Sequence, residues 1–141
     1  MLSDDLKMKG HLTIALNGET VFDVPNLVVT TGKNFVASRI KDTTSAAMSH
    51  MGIGTSSTAA VAGDIGLGAE AARVALTSTT VTNNVVAYVA SFPAGTGTGA
   101  ITEAGLFNAN TVGTMFCRTT FAVVNKGASD SMTITWSVTV S

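Results

Sequence analysis

The chain has 141 residues and a mass of 14.3 kDa, the size of one domain and enough to bury a core without disulfides or a structural metal. Hydrophobic residues make up 45% and charged residues only 12%, with a mean hydropathy of +0.39, which excludes the charge-rich composition of a disordered chain. A net charge of −1 and a pI of about 6.0 leave no basic footprint, so neither nucleic acid nor a membrane surface is expected as a partner.

Met1-Leu2-Ser3-Asp4-Asp5 opens with acids and lacks an apolar h-region, so no signal peptide is expected. Apolar runs such as Val85–Ala90 are too short to span a bilayer. The sequence predicts a single domain over 1–141, preceded by a short N-terminal arm of about residues 1–9. A hairpin follows. Its first strand runs over Leu6–Leu16, where Leu12, Ile14 and Leu16 alternate with polar or small neighbours; Asn17-Gly18 supplies the turn, and Glu19–Val24 returns until Pro25 withholds a ladder donor.

Thr31–Lys41 is the one helix candidate. Thr31 is placed to cap it, and Phe35 and Ile40 are expected to pack on a sheet. Arg39 and Lys41 in its last turn suit the negative end of the dipole. Ala47–Gly54 alternates as a strand, with Ala47, Ser49, Met51 and Ile53 on one face, and Thr55–Gly68 is a long loop rich in small residues. Loops of that length without structure are uncommon unless functional. Glu70–Thr80 and Asn84–Phe92 read as a strand pair, and Pro93–Gly99 as a second flexible loop. Strands at Ile101–Asn108, Thr114–Val124 and Ser131–Val140 close the chain, the last with Met132, Ile134, Trp136, Val138 and Val140 on one face. The expected fold is all-β: an antiparallel sandwich or barrel of about seven to eight strands with one short helix.

Chemistry-bearing patterns are sparse. His11 and His50 lie on different predicted strands without a second ligand at motif spacing, so no metal or cofactor is expected. Cys117 has no sequence-local histidine and reads as a buried free thiol, in keeping with synthesis in a reducing cytoplasm. Gly95-Thr96-Gly97-Thr98-Gly99 lacks the Gly-Lys-Ser/Thr ending of a phosphate loop. Glu70 and Glu103 could form a glycosidase-like dyad if their strands approach. The simpler expectation is that each carboxylate satisfies local backbone amides or an arginine such as Arg73 or Arg118, and that the chain is not an enzyme. A surface this poor in charge suggests an assembly component whose neighbours cover it, and a homo-oligomer.

The stretches Asn26–Arg39, Met48–Thr55, Ile101-Thr102-Glu103-Ala104-Gly105-Leu106-Phe107-Asn108 and Asn125–Trp136 resemble small structural proteins of tailed bacteriophages. Similar Ile-x-Glu-x-Gly-Leu-Phe segments occur in tail-fibre attachment domains. The resemblance implies a virion location, foremost a capsid decoration (cement) protein that binds the major capsid protein and stabilises the head shell. A tail, fibre or collar adaptor is the alternative. The chain's end on a strand at Val140-Ser141 favours a self-contained decoration subunit over an adaptor that continues into a shaft. A glycan-binding sandwich using Tyr88, Phe92 and Phe107 is more distant. Contacts with the partner are expected from Leu2, Leu6 and Met8 in the arm and from Ile65, Leu67, Phe92 and Pro93 in the loops, unless these apolar residues tuck into the subunit's own core.

Overall fold

A computed structural model describes residues 6–141. Leu2 and the first part of the expected arm lie outside the described residues. Nine strands and one helix follow in the order β1 (Met8–Leu16), β2 (Glu19–Val28), α1 (Thr30–Lys41), β3 (His50–Gly54), β4 (Glu70–Ala75), β5 (Ser78–Thr82), β6 (Val85–Phe92), β7 (Gly99–Phe107), β8 (Met115–Lys126) and β9 (Met132–Val140). All neighbouring pairs are antiparallel, in one sheet of order β4-β3-β7-β8-β2-β1-β9-β6-β5. The two end strands, β4 and β5, are consecutive in the chain and joined by only Leu76 and Thr77. The sheet must therefore curl until its ends meet, as a half-barrel. At that corner Leu76 N donates to Ser49 O (2.9 Å) and Thr77 N to Val89 O (2.7 Å).

The curl encloses one main core. Leu12, Ile14, Tyr88, Ala90, Phe92, Ile134 and Trp136 face it from one half, and Met51, Ile53, Ile101, Leu106 and Cys117 from the other. Period-two alternation produces this inward row directly on β9, where Met132, Ile134, Trp136 and Val138 are buried. The Asn17-Gly18 turn forms as its residue types require, with φ values of 51° and 82°.

Several expectations are corrected. The arm is shorter than residues 1–9, because β1 begins at Met8 and Lys7 exchanges both backbone hydrogen bonds with Ser141. Pro25 does not end β2, which runs on to Val28. The Pro25 carbonyl accepts from Thr119 Oγ1 (3.0 Å), so its nitrogen also faces the β8 side, where pairing starts only at Leu27, and no β1 ladder bond is lost. Glu70–Thr80 is two strands, because the chain turns the corner at Leu76-Thr77. β3 starts at His50 and leaves Ala47 exposed. Thr31 does not cap α1; Val29 stands at the N-cap without a side-chain bond, and Thr31 Oγ1 donates to Met115 O (2.8 Å). Phe35 packs against Phe116, but Ile40 is 81% exposed. Gly32 lets α1 lie directly on β8, because a Cβ there would run into the Phe116 backbone.

Burial pushes the Cys117 thiol up from 9.0 to about 12 and the Tyr88 hydroxyl from 10.0 to about 12. Both groups are neutral when protonated, so the stability they allow is intact below their unfolded-state values and is lost as pH rises through the folded ones. The urea midpoint is therefore expected to fall between about pH 9 and 12. At pH 8 the folded chain should not react with iodoacetamide, and adding denaturant should expose the thiol. Rapid alkylation of the folded chain would contradict this placement of Cys117.

Candidate functional site: a buried carboxylate–guanidinium clamp under the 55–69 loop

β7 is buried on both faces, since Glu103, Ala104, Leu106 and Phe107 are all at or near zero exposure. Ala104 and Leu106 face the main core. The outward face is covered by the long loop of residues 55–69. Leu67 packs there with Phe107, Met115 and Val29 in a second small apolar cluster. Glycines make this approach possible: Gly52 and Gly105 leave room for Leu67, and a Cβ at Gly54 would collide with Ala69 O and the Glu103 carboxylate.

The polar half of the clamp centres on Glu103, on β7, and Arg118, on β8. Glu103 Oε1 accepts from Gly68 N (2.8 Å) and from Arg118 Nε and NH2 (3.2 and 3.1 Å). Its Oε2 accepts from Ser56 N (3.0 Å) and Ala69 N (2.8 Å). Arg118 also donates from NH1 to Asp64 Oδ2 (2.9 Å) and from NH2 to Thr58 O (2.9 Å). Thr102 Oγ1 adds a bond to Ser56 O (2.9 Å). Loop residues 56, 58, 64, 68 and 69 are thus tied to two buried side chains, with every bond charge-assisted except that from Thr102. Asp64 in turn accepts from Val61 N (2.9 Å) and shapes the loop's far side.

A second arginine does similar work on the same side of the sheet. Arg73, on β4, pairs with Glu70 (2.7 Å), lies 3.6 Å above the Phe107 ring centroid, and donates to Ala109 O and Val112 O. Those two carbonyls belong to the β7–β8 turn, where Val112 holds a φ of 53° that a β-branched residue rarely adopts.

The expected alternatives resolve accordingly. Glu103 meets Arg118 and Glu70 meets Arg73, but the amides that Glu103 satisfies are not local: they belong to Ser56, Gly68 and Ala69, 34–47 residues away in sequence. They stand on either side of Gly54 in the β4-β3-β7 register, each with its own arginine, and no shared dyad forms. Among the described residues, no group of three His, Cys, Asp or Glu side chains is placed to hold a metal ion. His11 pairs with Asp23 on the open face of the β1–β2 hairpin, and His50 Nδ1 shares a hydrogen bond with Ser49 Oγ.

The residues expected to contact a partner separate into two groups. Leu6 (74% exposed), Ile65 (76%) and Pro93 lie on the surface. Phe92 is fully buried and has no surface to offer, because its position on β6 points it inward with Tyr88 and Ala90. Met8 and Leu67 are half-buried against the main and second apolar clusters. Tyr88, Phe92 and Phe107 are all buried, which removes the aromatics a glycan surface would have used. The sequence reading missed Asp64. Its signal was its position as the one charged residue in the 55–69 loop. No protein-family model, curated protein or solved structure matches this chain.

Proposed function

We propose that this chain is a bacteriophage virion structural protein that decorates the head shell and stabilises it by binding there. The observation that carries the reading is the construction of the 55–69 loop. It is anchored from beneath by Glu103, Arg118 and Asp64, while Val61 (57% exposed) and Ile65 (76%) project from its outer side. A flexible loop must be ordered on binding, at about 0.5–1.5 kcal/mol for each immobilised side chain, and prior anchoring reduces that cost. An anchored, nearly uncharged loop with protruding apolar side chains suits a docking element on a neutral protein surface. The likeness to phage structural proteins supplies the shell as that surface. Binding only the mature shell would stabilise it by mass action, and repetition over a symmetric lattice would multiply weak contacts.

The test is copy number and a loop variant together. Purified virions should contain the chain at the same order as the major capsid protein, by quantitative mass spectrometry. Recombinant chain carrying Ile65→Asp should bind undecorated shells at least about 10-fold more weakly, since a buried carboxylate without a partner costs well over 1.4 kcal/mol. A copy number far below that of the shell protein would move the chain to the tail or collar. Absence from virions would defeat the proposal.

A further inference from the structure

We infer that β5 is a self-pairing edge through which two copies of this chain join in a two-fold symmetric dimer. Among the described residues β5 pairs with β6 alone, and all five of its residues, Ser78-Thr79-Thr80-Val81-Thr82, are exposed. Edge strands are ordinarily protected by charges, proline or a bulge. This one has none of them. Its register with β6 is uninterrupted, and from Val74 to Thr102 the chain carries no charged residue. The opposite end of the sheet, β4, is protected by the charged pair Glu70 and Arg73.

The ladder fixes which groups are free. The two-residue turn Asn83-Asn84 joins Thr82 to Val85 as a hydrogen-bonded pair, so alternate residues Thr79 and Val81 turn their N–H and C=O away from β6. An antiparallel second copy centred on Thr80 sets Thr79 of each chain opposite Val81 of the other and forms about four backbone hydrogen bonds. The side-chain pairs are then threonine with valine and threonine with threonine, both favourable across strands. Thr79 and Val81 also line the mouth of an apolar groove of about 280 Å³, with Phe35, Val36, Met48 and Tyr88 behind them. Val81 is 68% exposed there, and pairing covers it.

Charge decides the occupant. A two-fold axis sets this edge against a second copy of the same edge, so an edge of one charge sign would repel itself, whereas this edge is neutral throughout. Arg39, among the described residues the one cation lining the groove, already donates to Ser45 O and lies over the Phe35 ring. A charged partner would find nothing on β5 to pair with, and a second copy finds its own complement. The inference does not rest on the virion reading.

The register gives a sharp test on the full chain. Thr80→Cys should form an intermolecular disulfide readily under mild oxidation, because only residue 80 faces its own copy, at a Cα separation of about 4.5 Å, within disulfide range. Ser78→Cys, opposite Thr82, should remain monomeric on a non-reducing gel, and Cys117 is buried in both variants. In sedimentation velocity the unmodified chain should be dimeric, and Val81→Lys should weaken association at least about 100-fold by setting like charges near the axis. Val81→Thr, which keeps the strand, should dimerise as before. A monomeric unmodified chain, an assembly that survives Val81→Lys, or equal cross-linking at 78 and 80 would each overturn the inference.

Discussion

Glu103→Ala is expected to destabilise the fold by about 3–5 kcal/mol, the cost of leaving a buried charge without its partner. Arg118 is 2% exposed and would lose two of its bonds, while the amides of Ser56, Gly68 and Ala69 would lose their acceptor. Glu103→Gln should be nearly as damaging despite its matching shape. Both carboxylate oxygens accept from donors, so a glutamine must turn its NH2 toward one set of them, and two donors then face each other. Urea unfolding measures both variants. A loss below about 1 kcal/mol for alanine would mean that the carboxylate is not the anchor of the loop.

Stability and loop placement should come apart in a compensated variant. Glu103→Leu combined with Arg118→Met removes both charges at once, and such exchanges often return a fold to its original stability. The amides of Ser56, Gly68 and Ala69 would still lack an acceptor, and Asp64 would lose its arginine. The double variant should therefore approach the stability of the unmodified chain yet show protease cleavage within residues 55–69. In that case the ion cluster holds the loop in position and contributes little to the global fold.

How much of this could be read from the sequence follows from the range of the interactions. The β1–β2 hairpin and β9 were legible because their determinants are local: a two-residue Asn-Gly turn, and alternation along one strand. The all-β class and the helix followed from the same periodicities. The break at Leu76-Thr77 was not legible, because it arises where the two ends of the sheet meet. Thr31 had the right type for a cap, but the carbonyl of Met115, brought near by β8, took its hydroxyl instead. Of the clamp, the pairing of glutamates with arginines was legible by charge. The loop amides were not, since their separations from Glu103 in sequence are 34–47 residues. Phe92 departs from the expectation for a related reason: the proline after it signals a loop, while its position on β6 decides that it points inward.

Trp136→Ala is expected to cost about 3–5 kcal/mol, among the largest values for a single truncation in this core. Trp136 is fully buried at the centre of β9, opposite Leu12 on β1 and Tyr88 on β6, so both neighbouring strands face the cavity left behind. Trp136→Phe should cost less than half as much. The indole Nε1–H is buried without a hydrogen-bond partner among the described residues, so the exchange breaks no bond there and removes a donor whose unmet desolvation costs about 1–3 kcal/mol. That gain offsets part of the lost packing. Since Trp136 is the single tryptophan, unfolding of both variants must be followed by far-ultraviolet circular dichroism rather than by fluorescence. A phenylalanine variant as unstable as the alanine one would show that the indole nitrogen is satisfied in solution, by a water or by the neighbouring polar groups of the core.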